Sequence, residues 1–297
     1  MFFHKNKYMN IIFQINGGIG KCVMGTAICE ILKKKYPESK LIVVSGYPDV
    51  FLNNPFVDRA YAFGEHKYFY SDYIENGDFK IFAHDPYLDT EHLKSEEHVI
   101  QTWCKLFDLE YNGEKTNIFI TEREQQFYSK KYTTDKPIMV IQTNGGIEQN
   151  MKYSWARDIP HNIAQQVVDK LKYAYTIFHI RRDDQPALRD TVQLTDSFRA
   201  VSIVIAMSSK RLFMDSFAQH AASALGMSST VLWVTNSPKV FGYGLNKNII
   251  HNEFTKKPEL KLSYLNQFNI LGEPMEFPFN SEGEIFSIED VLQSLED

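Results

Sequence analysis

The segment from Met214 to Gly226 combines residue types that can hold an anion. Asp215 and Ser216 follow a short apolar run, and His220 comes about one helical turn after Ser216, on the same predicted face. A helix N-terminus carries about half a positive charge and unpaired N–H groups, which suit a diphosphate. Alternatively, Asp215 and Ser216 only cap the helix and His220 is a half-buried structural histidine. Because capping and ligand binding are compatible, we predict that Ser216 and His220 help to form an anion site.

A glycine-rich loop, residues 16–21, follows the first apolar run of the chain. It is not a Walker A loop, because that motif requires Gly where Ile15 stands and Ser or Thr where Cys22 stands. The dinucleotide fingerprint GxGxxG also fails, because its third glycine is missing. Gly18 and Gly20 still allow a ligand to approach the backbone closely, although a tight turn that requires positive φ is the alternative. Since such loops lie at the carboxyl ends of parallel strands, where ligands bind, we predict a binding role.

Three further groups of residues follow predicted strands. Thr143 and Asn144 end the first strand of the second half, and we place both in the same anion site. Lys152 could neutralise a phosphate there, or it could be an ordinary solvated lysine. In the first half, His84 and Asp85 end a strand, and either could take a proton from a bound hydroxyl group. The alternative for Asp85 is that it starts the turn that follows.

Strand and helix patterns alternate in both halves of the chain, and this alternation must position the residues above. The predicted strands cover residues 10–15, 41–45, 79–84, 138–143, 175–180, 211–214 and 230–235. The predicted helices cover 21–36, 160–172, a segment starting at the cap residue Ser197, 216–225 and 286–295. We therefore predict two doubly wound α/β lobes with a hinge near residues 130–137. The expected division is an N-terminal lobe (1–133), a second lobe (134–275), and a C-terminal tail and helix (276–297).

Composition limits the classes of function. The 297 residues are 43% hydrophobic and 23% charged, which is a normal globular balance. The net charge of −5 disfavours nucleic acid as the main partner. The three cysteines are too widely spaced for a disulfide framework or a CxxC metal pair, and the chain contains no Asp-x-Asp pair. We therefore expect no bound metal or other cofactor. Since we find neither a signal peptide nor an apolar run of about 20 residues, we also expect no transmembrane segment and a cytoplasmic location.

The order and spacing of these motifs resemble glycosyltransferase family 9, the ADP-heptose:lipopolysaccharide heptosyltransferase family. The resemblance spans most of the chain and is weakest between residues 60 and 130. The similar segments are the loop and helix start at 18–26, Asn54-Pro55-Phe56-Val57-Asp58, residues 152–155, residues 214–226 and the helix at 286–295.

The resemblance implies a GT-B fold, in which two Rossmann-like lobes face a central cleft. It also implies an inverting, metal-independent transfer of a sugar from a nucleotide-diphosphate donor to the hydroxyl of a glycan or other acceptor. It assigns Lys152, Ser216 and the amides that follow to the donor diphosphate, and Asp215 to the neighbourhood of the donor sugar.

The sequence departs from the family pattern at important positions. Lys21 stands where the family has a catalytic Asp, and Phe217 replaces the glycine that usually follows Ser216. We therefore count Asp85, His84 and Lys21 as candidate catalytic residues. Two other functions stay open: a non-catalytic module that binds a nucleotide or sugar, and a glycosyltransferase that acts on a modified nucleic-acid base.

Overall fold

A computed structural model describes residues 9–75, 77–94, 97–145, 154–252 and 282–296. Its strands form two separate sheets, and every pairing is parallel. The first sheet has the order β3-β2-β1-β4 and the second the order β10-β9-β8-β5-β6-β7. The strands are β1 Asn10–Ile15, β2 Lys40–Ser45, β3 Arg59–Tyr61, β4 Phe79–Phe82, β5 Ile138–Ile141, β6 Thr176–Ile180, β7 Val192–Leu194, β8 Lys210–Met214, β9 Thr230–Trp233 and β10 Lys247–Ile250. This arrangement confirms the predicted α/β class with two parallel sheets.

The helices of the described segments complete the two lobes. They are α1 Ile19–Lys35, α2 Thr90–Leu93, α3 Val99–Leu106, α4 Glu122–Lys131, α5 His161–Leu171, α6 Phe198–Met207, α7 Phe217–Ala224, α8 Pro238–Phe241 and α9 Ile288–Glu296. None of these helices is long and apolar enough to cross a membrane.

Three predicted boundaries near the candidate site are wrong by a few residues. The strand predicted to end at His84 ends at Phe82, because Asp85 accepts a hydrogen bond from the N–H of Tyr87 and starts a short 3₁₀ turn. The strand predicted to end at Thr143 ends at Ile141. The first helix begins at Ile19, two residues earlier than predicted. These residues still follow the carboxyl ends of their strands, as a ligand site in such a sheet requires.

The buried side chains explain why the central strands and their helices form. Five of the six residues of β1 are buried and all four of β5 are, as expected for parallel strands covered on both faces. One apolar core joins the first sheet and α1 to α6, α7 and one face of the second sheet. A second core lies on the other face of that sheet, under α5 and α9. The C-terminal helix α9 therefore packs on the second sheet.

The two lobes touch at helices α1 and α7. A Cβ atom added at Gly20 of α1 would lie 2.8 Å from Cδ2 of His220 in α7, so only glycine permits this approach. Behind this contact, α4 packs against α6, and Arg199 Nε donates to Glu124 Oε1 at 2.8 Å. Helix α4 precedes the predicted lobe boundary at residue 133, yet it packs against helix α6 of the second lobe.

Candidate functional site

A cavity of about 340 Å³ lies between the lobes, where the carboxyl ends of β1 and β8 face each other. Residues of both lobes line it: Gly17, Gly18, Ile19, Gly20, Lys21, Tyr47, Tyr87, Arg157, Asp215, Ser216, Phe217, His220, Asn236 and Phe241. Two helices, α1 and α7, begin at its wall. Since each N-terminus adds a partial positive charge, the cavity is suited to an anion.

The N-terminus of α7 presents a serine hydroxyl that does not cap its own helix. Ser216 is the N-cap residue, but its side chain makes no capping hydrogen bond. Instead, Gln142 Oε1 accepts from the N–H of Ala218 at 3.3 Å, and Gln142 Nε2 donates to Ser216 Oγ at 3.2 Å. Gln142 therefore performs the capping and orients the hydroxyl of Ser216 at the cavity wall. Sequence reasoning missed this glutamine, because Ser216 and Ala218 lie 74 and 76 positions after it in the sequence.

Asp215 places a buried carboxyl group beside this helix start. The residue is 7% exposed, and Asn236 Nδ2 donates a hydrogen bond to its Oδ2. Burial raises the pKa of Asp215, while the charge of Arg157 and the hydrogen bond from Asn236 act in the opposite direction. The predicted neighbours Asp215 and Ser216 are thus together in the cavity, with Asn236 as a partner that the sequence did not indicate.

Arg157 is the cationic group of this wall, and sequence reasoning missed it. Its guanidinium lies against Gly145, where an added Cβ would be 2.7 Å from Cζ. Its Nε is buried without a hydrogen-bond partner among the described residues, and none of their carboxylates forms an ion pair with it. Because a guanidinium binds phosphate oxygens well, an unpaired one in a cavity points to an anionic ligand. The sequence signal that could have indicated Arg157 is its position two residues after Trp155, which ends the similar segment at residues 152–155.

The loop that carries Arg157 is held by a buried carboxylate, Asp158. Asp158 Oδ2 accepts from the N–H of Ser154 at 2.8 Å and from Asn144 Nδ2 at 2.9 Å, and Oδ1 accepts from the N–H of Gly145 at 2.9 Å. Thr143 donates to the Asn144 side-chain oxygen at 2.7 Å. Thr143 and Asn144, which we predicted to bind the ligand, are therefore buried next to this loop and do not line the cavity. Lys152 lies outside the described residues.

The opposite wall comes from the first lobe and begins with the glycines of α1. Gly18 is the N-cap residue of α1, and the first turn of the helix carries no acidic side chain. Gly17 has φ of 110°, a value that favours glycine, and Gly18 and Gly20 line the cavity as predicted. The first backbone N–H groups of α1 therefore face the same space as those of α7.

Lys21 and Asp85, separated by 64 positions in sequence, form a partly buried ion pair at this wall. Lys21 Nζ lies 2.8 Å from both carboxylate oxygens of Asp85 and 3.8 Å from the centre of the Tyr87 ring. The Lys21 side chain is 7% exposed and that of Asp85 is 28% exposed. Lys21 and Tyr87 line the cavity, whereas Asp85 pairs with the lysine and is not itself among the lining residues. His84, the other candidate base, is exposed and also lies outside the lining.

His220 of α7 lies where the two walls of the cavity meet. It is 3% exposed, touches Gly20 across the lobe contact, and its Nδ1 lies 2.8 Å from the hydroxyl of Tyr243. Burial lowers the pKa of His220 to about 3, so the imidazole is neutral at physiological pH. It can therefore offer a hydrogen bond to a ligand but no positive charge. Within the described segments, no group of three His, Cys, Asp or Glu side chains could hold a metal ion.

Comparison with known proteins agrees with this architecture. No protein-family model matches the sequence, and no curated protein matches it either. Three solved structures are similar in fold: a glycosyl transferase family 9 protein from Veillonella parvula DSM 2008, the ADP-heptose LPS heptosyltransferase II of E. coli, and the iron-containing dodecameric glycosyltransferase TibC from enterotoxigenic E. coli H10407.

The agreement in fold extends over most of each chain. The Veillonella protein has a TM-score of 0.69 at 13% identity, and the match covers 98% of this chain and 97% of that one. Heptosyltransferase II has a TM-score of 0.60 at 14% identity, with 82% and 90% covered. TibC has a TM-score of 0.66 at 8% identity, with 97% and 76% covered. The chain thus has the two-lobed GT-B fold of these glycosyltransferase family 9 and heptosyltransferase structures, as the sequence led us to expect.

Proposed function

We propose that the protein is an inverting glycosyltransferase that moves a sugar from a nucleotide-diphosphate donor to the hydroxyl group of an acceptor. The observation that carries this proposal is the guanidinium of Arg157 beside the N-termini of α7 and α1, where it has no ion-pair partner among the described residues. The similar fold of family 9 glycosyltransferases supports the reaction class. A cation and two helix N-termini supply positive charge for the diphosphate without requiring a divalent ion.

The donor diphosphate lies between Arg157 and the start of α7, where Ser216 Oγ and backbone N–H groups donate hydrogen bonds. Asp215, held by Asn236, accepts hydrogen bonds from hydroxyl groups of the donor sugar. As the bond between the sugar and the diphosphate breaks, the leaving oxygen gains negative charge. The interactions with Arg157 and the α7 start therefore strengthen in the transition state, and this is how they accelerate transfer.

The acceptor binds against the first lobe, and Asp85 is its general base. The Asp85 carboxylate takes the proton of the acceptor hydroxyl, whose oxygen attacks the anomeric carbon on the face opposite the diphosphate. The nucleoside diphosphate leaves with the bonding electron pair, and the configuration at the anomeric carbon inverts. Lys21 positions the base through its contacts to both carboxylate oxygens.

The test is a transfer assay with ADP-, UDP- and GDP-sugars together with the variant Asp85→Asn. We expect one donor class to raise the melting temperature of the wild-type protein by mass action. Asp85→Asn should keep that donor affinity within about twofold and lower kcat by roughly 10²–10⁴, the usual contribution of a general base. His84→Asn, an exposed neighbour, is the matched control and should leave kcat unchanged.

Three results would redirect the proposal. Donor binding without any sugar transfer, over a range of acceptors, would favour the non-catalytic binding module. If no nucleotide or nucleotide sugar changed the melting temperature, the donor site itself would be refuted. An active Asp85→Asn enzyme would exclude Asp85 as the base while leaving the donor site in place.

A further inference from the structure

A second, smaller pocket lies at the amino-terminal ends of strands of the second sheet, whereas the cleft lies at their carboxyl ends. Its volume is about 110 Å³, and it opens where β8, β9 and β10 begin, beside the C-terminal end of α9. One water molecule needs roughly 10–15 Å³ of such space, so the pocket can hold a small ion of several heavy atoms.

Three basic side chains line this pocket: Lys210, Arg211 and Lys247. None of the described residues that line it is acidic. Lys210 Nζ donates to the carbonyl oxygen of Glu296 at 3.2 Å, and Lys247 Nζ donates to that of Ser294 at 3.0 Å. These carbonyls at the end of α9 carry only partial negative charge, so they compensate the charges of the two lysines only in part.

Arg211 is the most informative of the three, because it is only 9% exposed. Its Nε donates to the Ser228 carbonyl at 2.6 Å, and its Nη1 donates to Ser208 Oγ at 3.0 Å. All of its acceptors in the described chain are neutral carbonyl or hydroxyl oxygens. Its second terminal nitrogen, Nη2, donates to none of the described residues and is left available. A buried guanidinium without a carboxylate partner is costly unless an anion satisfies it.

Hydroxyl groups complete the pocket. Ser229 is 4% exposed, and its Oγ is buried without a hydrogen-bond partner among the described residues. Thr230 Oγ1 and Ser294 Oγ lie 2.8 Å apart at the same wall. An unsatisfied buried hydroxyl next to an uncompensated guanidinium calls for a ligand that accepts several hydrogen bonds.

We propose that this pocket binds a free tetrahedral oxyanion, phosphate or sulfate. The ion accepts hydrogen bonds from Arg211, Lys247 and Ser229 and joins the starts of three strands to the end of α9. The pocket is separate from the donor cleft, so the proposal stands whether or not the protein transfers sugars. Binding of the ion should therefore stabilise the second lobe against unfolding.

Phosphate titration by calorimetry tests the proposal, in the Arg157→Gln background so that phosphate binding in the cleft is weakened. We expect one saturable site, weakened about tenfold by Lys247→Gln, because a hydrogen bond to a charged group is lost. The glutamine can still donate to the Ser294 carbonyl and so keep α9 in place. Lys247→Arg should retain affinity, and Lys170→Gln, which removes an exposed lysine of the same lobe, should not change it.

A crystal of the wild-type protein soaked in selenate gives an independent readout that does not depend on any variant. The expected result is an anomalous peak within hydrogen-bonding distance of Arg211 and Lys247. Absence of that peak at saturating selenate would overturn the proposal. So would a phosphate affinity that Lys247→Gln leaves unchanged, since the lysine would then serve only to hold α9.

Discussion

Replacing Arg157 with glutamine removes the positive charge that the proposed donor site depends on most. The guanidinium forms no ion pair with a carboxylate of the described residues, so its N–H groups are available to a diphosphate. A hydrogen bond to a charged group contributes about 1.5–3 kcal/mol net, which corresponds to a tenfold to hundredfold change in Kd. Burial raises the pKa of Asp215 and the charge of Arg157 lowers it, so part of the arginine's charge acts on this carboxyl group and the lower end of that range applies. We therefore expect the Kd for the nucleoside diphosphate to rise roughly tenfold.

Isothermal titration calorimetry of ADP, UDP and GDP measures this change, at two salt concentrations. The salt dependence of binding should also become weaker, since one fewer charge contacts the phosphates. The matched control is Arg189→Gln on the same lobe, where the arginine side chain is 76% exposed and should not affect binding. A Kd within twofold of the wild-type value, in a variant with an unchanged circular dichroism spectrum, would show that the diphosphate does not contact Arg157.

Three further predictions concern the neighbours of the cleft and the contacts that hold the lobes. Gly145→Ala should weaken diphosphate binding about as much as Arg157→Gln, because the new Cβ displaces the flexible end of Arg157. Since only that end moves, the free energy of unfolding should change by less than about 1 kcal/mol. Calorimetry and urea unfolding of the same variant check both parts, and a strong loss of stability with normal binding would contradict the reasoning. Glu124→Gln should lower the free energy of unfolding by roughly 1.5–3 kcal/mol, because the substitution leaves the buried guanidinium of Arg199 without its charged partner. Urea unfolding measures this loss, and an unchanged midpoint would refute the prediction. Since burial lowers the pKa of His220 to about 3, only the unfolded state gains this proton between about pH 6.5 and 3, and acid therefore destabilises the fold. Over that range the wild-type protein should lose up to about 1.4 kcal/mol more per pH unit than His220→Gln, and parallel stability profiles would exclude this effect.

The regular parts of the fold could be predicted because local sequence patterns determine them. The strand, glycine loop and helix at the N-terminus, and the β8–α7 unit, have apolar runs with clear breaks. The short strands β3, β7 and β10 lie towards the edges of their sheets, and their three or four residues carry no clear alternation. Helix α4 was missed even though Thr121 and Glu124 form a capping box, a signal that the sequence does contain.

The candidate site was predictable only in part, because its key contacts join distant positions. Ser216 and the glycines of α1 could be placed in a cleft from strand order alone. The pairing of Lys21 with Asp85 spans 64 positions, and nothing in either local pattern indicates it. Arg157 escaped notice because the family resemblance drew attention to a nearby lysine. A side chain's exposure and lack of partners are properties of the packed structure.

In the proposed reaction, the leaving diphosphate sits between Arg157 and the start of α7. The most direct test is a crystal structure of the protein soaked with the nucleoside diphosphate that raises its melting temperature most. We expect phosphate oxygens within about 3 Å of the Arg157 guanidinium and of the Ser216 hydroxyl. Density for the nucleotide with its phosphates directed away from both groups, or bound outside the cleft, would contradict the account.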